Sequence, residues 1–237
     1  ELESDRVNLI SGADAFLHLA SASRLNEKKL KSIKEIVEFN IGTSSYIANK
    51  VVELGCKKII NITTNWAYLS NNSNQRQFFN LYALSKASFD LYLKNLCLKF
   101  KNLSIINLVL YDNFSINDSR GKIFNLIYSS LVNREPIKFS PGKQIINLTR
   151  MYELTKALKY VLYDMEYNRG YLMFQITGVE IDLVGLAEII SKEIGVKQTI
   201  LFGEKDYRDG EIMKPNYFFD EIPYLGNRKI ELYESIK

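Results

Sequence analysis

Four tyrosines in this chain stand four residues before a lysine, at Tyr46/Lys50, Tyr82/Lys86, Tyr152/Lys156 and Tyr233/Lys237. On a helix that spacing puts the two Cβ atoms ~5–6 Å apart, so the ammonium can lie beside the phenol. A phenol titrates near ~10 in water, and an adjacent positive charge favours its anion, bringing it towards a range useful for moving protons. With 15 tyrosines in 237 residues the spacing alone is cheap, and its surroundings must select among the copies. Only Tyr82/Lys86 follows an apolar segment ending in hydroxyls, Lys58-Ile-Ile-Asn-Ile-Thr-Thr64. Thr64 can then hydrogen-bond a substrate oxygen while Tyr82 moves the proton, a set suited to interconverting a carbonyl and an alcohol. The rival account of this copy is a structural hydrogen-bonded pair; the other three copies read as surface pairs.

The elements that must position these groups follow from periodicity. Asn80 is a good N-cap for a helix running to about Phe100, on which Tyr82, Lys86, Phe89, Leu93, Leu96 and Phe100 share one face. Four of the six are core residues, which places Lys86 where lysines are rarely found without a partner. Strands at Asp14–Ala20, Lys58–Thr64 and Ser104–Tyr111 are apolar almost throughout, as in a parallel sheet covered on both faces. Helical patterns fill 5–12 and 27–54, the second interrupted near Gly42 by a bend, a small residue against a ligand, or a packing contact, and closed by Gly55. A polar loop covers 70–77 and a polar segment 112–122.

Further on, a helix is expected at 123–133, a turn-rich crossing at 135–144, a strand at 145–149, a helix at 152–165 and a strand at 171–177. Asp182 caps a helix over 183–194 closed by Gly195, followed by a short edge strand at 198–202 and a last helix near 229–236. Ile-Ile-Asn begins at 59, 105 and 145, at unequal intervals that give no true repeat. Alternating strands and helices to about Thr149 predict an α/β fold, a Rossmann-like doubly wound parallel sheet. The later mixture of elements, with longer irregular connections, suggests a small C-terminal substrate lobe. Ligands of such sheets bind outside the carboxyl ends of the strands, near Ser21, Thr64 and Tyr111.

Composition narrows the classes. The charge of +4 comes from 31 basic and 27 acidic residues scattered along the chain, with none of the basic blocks of a nucleic-acid binder. Two cysteines in helical patterns, Cys56 and Cys97, read as reduced core residues of a cytoplasmic protein, and the lone His18 cannot build a metal site with them. No apolar run approaches the ~20 residues that span a bilayer, and the acidic first residues do not suit a signal peptide; no membrane partner is expected.

Several segments in order resemble the extended short-chain dehydrogenase/reductases that act on nucleotide sugars, over nearly the whole chain. Phe16-Leu-His-Leu-Ala-Ser21 is similar to that family's fourth-strand segment, Asn40-Ile-Gly-Thr43 to its following helix, Ile62-Thr-Thr-Asn-Trp-Ala-Tyr68 to its Ser/Thr strand and Asn80-Leu-Tyr-Ala-Leu-Ser-Lys86 to its Tyr/Lys helix. The stretches Leu110–Lys122, Ser140–Gln144 and Tyr207–Met213 look most like the branch of abequose and paratose synthases and related CDP-sugar enzymes. The resemblance implies NAD or NADP as cofactor and a nucleotide-sugar substrate in surface-polysaccharide synthesis. It makes Tyr82 the acid/base, Lys86 its charge partner and ribose ligand, and Thr64 the hydroxyl partner. Leu19, Ala20, Ser21, Ile62, Leu110 and Tyr111 would line the dinucleotide, and Asp112, Lys122 and Arg208 the sugar-nucleotide side, Arg208 because a guanidinium binds pyrophosphate bidentately. It also implies that residues 1–150 form a partial dinucleotide-binding domain, that 151–237 contribute its late elements and a small C-terminal α+β substrate lobe, and that a homodimer forms through helices 27–54 and 80–100.

Two departures qualify it. Dehydratases of the superfamily have Asp-Glu directly after the Thr, where this chain has Asn65-Trp66, so reduction or epimerisation is expected over loss of water. The family also opens with strand, Gly-x-x-Gly-x-x-Gly, helix and strand, whose helix N-terminus receives the pyrophosphate; nothing here matches it, and this N-terminal βαβ unit is expected to be missing from the sequence. That absence sustains a rival: a non-catalytic relative that binds a nucleotide sugar or a partner without a dinucleotide. A second rival is a dehydrogenase of small carbonyl compounds.

Overall fold

The computed structural model describes residues 12–23, 29–69, 78–115, 118, 121–166 and 169–223. The sequence-expected loop at 70–77, the last helix near 229–236 and all but the end of the helix at 5–12 lie outside them. The chain divides into two compact units, one formed by residues 1–110, 158–175 and 216–222, the other by 111–157, 176–215 and 223–237.

The first unit is built on a four-stranded sheet in the order β1-β2-β3-β7. β1 (Phe16–His18), β2 (Lys58–Thr64) and β3 (Ser104–Leu110) are parallel; β7 (Gly170–Ile176) lies beside β3. Register aligns Phe16 with Ile59 and Ile59 with Ile105, and two residues on His18 with Asn61 and Asn61 with Asn107. Side chains alternate along a strand, so these two rows lie on one face of the sheet. The apolar row is packed by Ala48, Val51 and Val52 of α2 (Ser44–Glu53) and by Phe89, Leu93 and Leu96 of α3 (Leu81–Lys99). On the opposite face Lys58 donates to the carbonyls of Val161 and Leu162, at 2.7 and 3.2 Å.

The strand expected over 14–20 is three residues long. Among the described residues β1 borders the four-strand order and pairs with β2 alone, and Leu19 and Ala20 beyond it are exposed. The helical run after it consists of α1 (Leu30–Val37), a π-helical turn at Glu38–Thr43 and α2. A methyl group at Gly42 would meet nothing within 4 Å, so the glycine makes no packing contact with the described residues, and the run passes it within the π-helical turn. Gly55 ends the run with φ +97°, a conformation that favours glycine.

In the second unit β4 (Asp112–Phe114) runs parallel to β6 (Ile145–Arg150), and β8 (Val179–Asp182) antiparallel to it. β5 (Ile137–Phe139) pairs with β9 (Ile200–Phe202). α5 (Met151–Lys159) follows β6 directly, and Phe124, Ile127 and Leu131 of α4 (Ile123–Asn133) close a core with Leu186, Ala187 and Ile190 of α6 (Leu183–Ile194). Asp182 caps α6 by accepting the Gly185 N–H at 2.6 Å, and Gly195 closes it, as the sequence pattern required. β4, β5 and β8 were not expected: three or four residues each, with Asp112, Asn113, Lys138 or Glu180 among them, they carry no apolar run.

Candidate active site

Asn80 starts α3 by accepting the Ala83 N–H at 2.9 Å, which fixes where the Tyr82 side chain leaves the first turn. Tyr82 is partly buried and Lys86, one turn on, is 3% exposed. The other described copies of the spacing do stay at the surface. Tyr46 is exposed and Lys50 pairs with Glu53; Tyr152 is exposed, with Lys156 4.2 Å from its ring centre. Tyr233/Lys237 lies outside the described residues. Burial drives the Lys86 ammonium below its usual range, and the charge of Asp90 opposes that shift.

Asp90, one further turn along α3 and equally buried, is the residue sequence reasoning missed. Its Oδ1 accepts from Asn61 Nδ2 at 2.9 Å, and its Oδ2 accepts from the Thr63 hydroxyl at 2.9 Å and from the Tyr68 hydroxyl. Asn61 Nδ2 also donates to Asn107 Oδ1 at 2.6 Å, and Asn107 Nδ2 donates to the Tyr171 hydroxyl at 3.0 Å. On the other side His18 Nδ1 contacts Asn61 Oδ1 at 2.8 Å and Nε2 contacts the Ser44 hydroxyl at 3.1 Å. Burial pushes the imidazole down to about 4, so the neutral ring donates from Nδ1 to Asn61. Burial likewise pushes the Tyr68 and Tyr171 phenols up, leaving both protonated. The signal was present: two of the three Ile-Ile-Asn copies lie side by side in register, as Ile59↔Ile105, Ile60↔Ile106 and Asn61↔Asn107.

Thr64 ends β2 on the face opposite Thr63. Its hydroxyl accepts the Trp66 N–H at 3.3 Å and opens a 3-10 turn, Asn65–Ala67, against which α3 packs. Trp66 lies against the Phe79 ring, centres 4.7 Å apart. On the first strand Asn40, from the π-helical turn, grips Ala22 through both backbone groups, at 2.7 and 2.9 Å, and donates to Ser85 Oγ at 2.9 Å. The π turn therefore has a function in positioning: it turns a carboxamide, 2% exposed, between the end of β1 and the first turns of α3. Next to it Ser21 Oγ is buried with no hydrogen-bond partner among the described residues. An orphaned hydroxyl beside a strand end, near exposed Leu19 and Ala20, fits a site that receives a polar ligand such as a dinucleotide. Ile62 and Leu110, also expected there, are partly buried.

The remaining expected site residues belong to the second unit. Tyr111 is buried, which pushes its phenol up. Burial also raises the Asp112 carboxyl, against the charges of Lys122 and Arg208, so those three do share one electrostatic neighbourhood. Lys122 donates to the carbonyl and side-chain oxygens of Asn113, at 3.1 and 2.5 Å. Arg208 grips Glu211 with two bonds of 2.9 and 3.0 Å, so an anion binding there would compete with a carboxylate. Cys56 and Cys97 are free thiols. No group of residues able to hold a metal ion occurs among the described residues, and no described helix is long and apolar enough to cross a membrane.

No protein-family model matches the chain. Over 188 residues it is 28% identical to the CDP-abequose synthase of Yersinia pseudotuberculosis, an alignment covering 75% of this chain and 62% of that protein. The chain thus spans under two thirds of that relative's length. Among solved structures it is similar to a UDP-N-acetylglucosamine 4-epimerase from Methanobrevibacter ruminantium in complex with UDP-N-acetylmuramic acid (TM-score 0.82, 20% identity, covering 99% of this chain and 77% of the epimerase). It is also similar to a dTDP-glucose 4,6-dehydratase from Streptomyces venezuelae with NAD bound (TM-score 0.77, 17% identity, 97% and 74%). The Rossmann-like α/β fold is shared with both.

Proposed function

We infer that this chain, an NAD-dependent epimerase/dehydratase-like member of the short-chain dehydrogenase/reductases by its fold and its sequence likeness, serves in the reduction or epimerisation of a nucleotide-linked sugar. The observation that carries this is the inward turn of one Tyr-x-x-x-Lys pair. Lys86 is taken into the core on a helix packed against a hydroxyl-ended strand, while the other described copies stay outside.

The chain's own groups then act as follows. Tyr82 gives a proton to, or takes it from, the substrate oxygen, with Thr64 hydrogen-bonded to that oxygen and the Lys86 ammonium favouring the phenolate. A nicotinamide dinucleotide, NAD or NADP, supplies the hydride exchanged with the sugar carbon. Leu19, Ala20, Ser21, Ile62, Tyr82, Lys86, Leu110 and Tyr111 are the residues proposed to hold it, and the unpartnered Ser21 hydroxyl supports that assignment. Asp112, Lys122 and Arg208 are assigned to the nucleotide-sugar side. Elimination of water is not proposed: Asn65 cannot serve as an acid or base, and Trp66 packs on Phe79.

We take the sugar to be a CDP-linked deoxysugar destined for surface polysaccharide in the cytoplasm, from the likeness to CDP-abequose synthase. A homodimer is proposed through α3 and the helical run before it. Leu84, Leu91 and Leu98 recur every seven residues along α3 and are exposed, as are Val37, Phe39 and Tyr46, an apolar face suited to a second copy.

The test is Tyr82→Phe. Turnover of the CDP-sugar is expected to fall ~10²–10⁴-fold with CDP binding retained; full activity would sink the mechanism. Fluorescence titration with NADH and NADPH separates the non-catalytic rival, which gives no nicotinamide signal.

A further inference from the structure

Tyr82, Lys86 and Asp90 follow one another at spacings of four and so form a single row along α3. Lys86 and Asp90 are each 3% exposed. Both carboxylate oxygens of Asp90 are occupied, by donors from β2 and the turn that follows it: Asn61, Thr63 and Tyr68. Those donors are neutral. The titratable groups facing Asp90 are Lys86 of α3, Tyr68, Tyr171 of β7 with Cys97 of α3 beyond it, and, through Asn61, His18 of β1. Burial keeps both phenols protonated, the Cys97 thiol neutral and the imidazole uncharged; it also raises the Asp90 carboxyl and lowers the Lys86 ammonium, and the attraction between these two opposes both shifts.

A carboxylate held by three hydrogen bonds cannot swing to follow its partner, so the partner must come to it. We propose that Asp90 is the positioning residue of the pair: fixed by Asn61, Thr63 and Tyr68, it keeps Lys86 charged and in place, and thereby sets the acidity of the Tyr82 phenol. The inference rests on the acid/base role proposed for Tyr82. Its sign is distinctive. Acting across space on Tyr82, a negative charge two turns away opposes the phenolate; acting through Lys86, the same charge favours it. Removing the carboxylate therefore moves the Tyr82 titration in opposite directions under the two accounts.

The experiment is a 13C NMR titration of the whole chain labelled at tyrosine Cζ, with Tyr82 assigned by the signal lost in Tyr82→Phe; no substrate is needed. In the native chain Tyr82 is expected to titrate below the ordinary phenol value of ~10. In Asp90→Asn, which keeps the side-chain shape, it is expected to rise by about one unit or more as burial neutralises Lys86. Tyr68→Phe leaves the carboxylate but removes one of its donors, and is expected to move Tyr82 the same way by less; it carries the test should Asp90→Asn fail to fold. A Tyr82 titration unchanged or lowered in the folded variants overturns the role of Asp90 while leaving the acid/base reading intact. An ordinary phenol in the native chain overturns both.

Discussion

At the scale of single residues, the buried face of this sheet is more polar than its strands suggest, and its titration has consequences for stability. His18 is held neutral with its pKa lowered to about 4, against 6.5 when solvated. As pH falls through 6.5 the unfolded chain takes up the proton first, so folded-state stability from this group is full above about 6.5 and lost progressively towards 4. A depression of that size corresponds to ~3 kcal/mol. We expect the urea midpoint to drop over this window, and His18→Gln, whose amide can still donate to Asn61, to flatten that part of the curve. Equal slopes in both proteins would assign the loss elsewhere. Breaking the Asp90 cluster is costlier: Asp90→Ala leaves Asn61, Thr63 and Tyr68 without their acceptor and Lys86 without its opposing charge, and ~3–5 kcal/mol of destabilisation is expected in urea unfolding. Tyr82 and Lys86 were legible in the sequence because a lysine on an apolar face announces itself. Asp90 was not: it too stands four residues after Lys86 and three before Leu93, but the stripe was traced through its apolar neighbour Phe89. Asn61 and Asn107 were noted only within Ile-Ile-Asn tripeptides at unequal intervals, since which residues become cross-strand neighbours is not visible in a linear pattern.

At the scale of elements, the helices with chemical stop and start signals were the legible ones. Asn80 and Asp182 cap α3 and α6, and α4 begins and ends at the expected residues. Asn80→Ala removes the bond to the Ala83 N–H and is expected to lower stability by ~1 kcal/mol; if the helix start also aims Tyr82, turnover falls beyond what that loss explains. The short strands of the second unit were illegible because their reason to exist is tertiary. β8 is placed by Gly178, whose N–H bonds Asn147 Oδ1 at 2.6 Å and where a methyl group would sit 2.0 Å from the Leu148 carbonyl oxygen. Gly178→Ala must push the backbone apart where β6 meets β8, and a loss of ~2–3 kcal/mol is expected in thermal or urea unfolding. The π-helical turn was seen in the sequence only as an interruption at Gly42; its purpose lies two residues earlier, in Asn40.

At the scale of the whole molecule, alternating strands and helices were enough to give the α/β class and the parallel order of β1, β2 and β3. The proposed assembly would rest on surface residues. If Leu84, Leu91 and Leu98 form a face between copies, Leu91→Lys is expected to convert a dimer to a monomer in sedimentation, with Tyr82 and its neighbours spectroscopically unchanged; a native monomer would remove the proposal.

β2 and β3 are both rich in isoleucine and could pair at several offsets with similar burial. A slip of one residue would turn Asn61 or Asn107 to the other face, and a slip of two would leave each carboxamide opposite a hydrocarbon. The Asn61–Asn107 bond, flanked by His18 on one side and Tyr171 on the other, therefore acts as a keyed joint, accepting one alignment of interchangeable apolar strands and rejecting its near copies during folding.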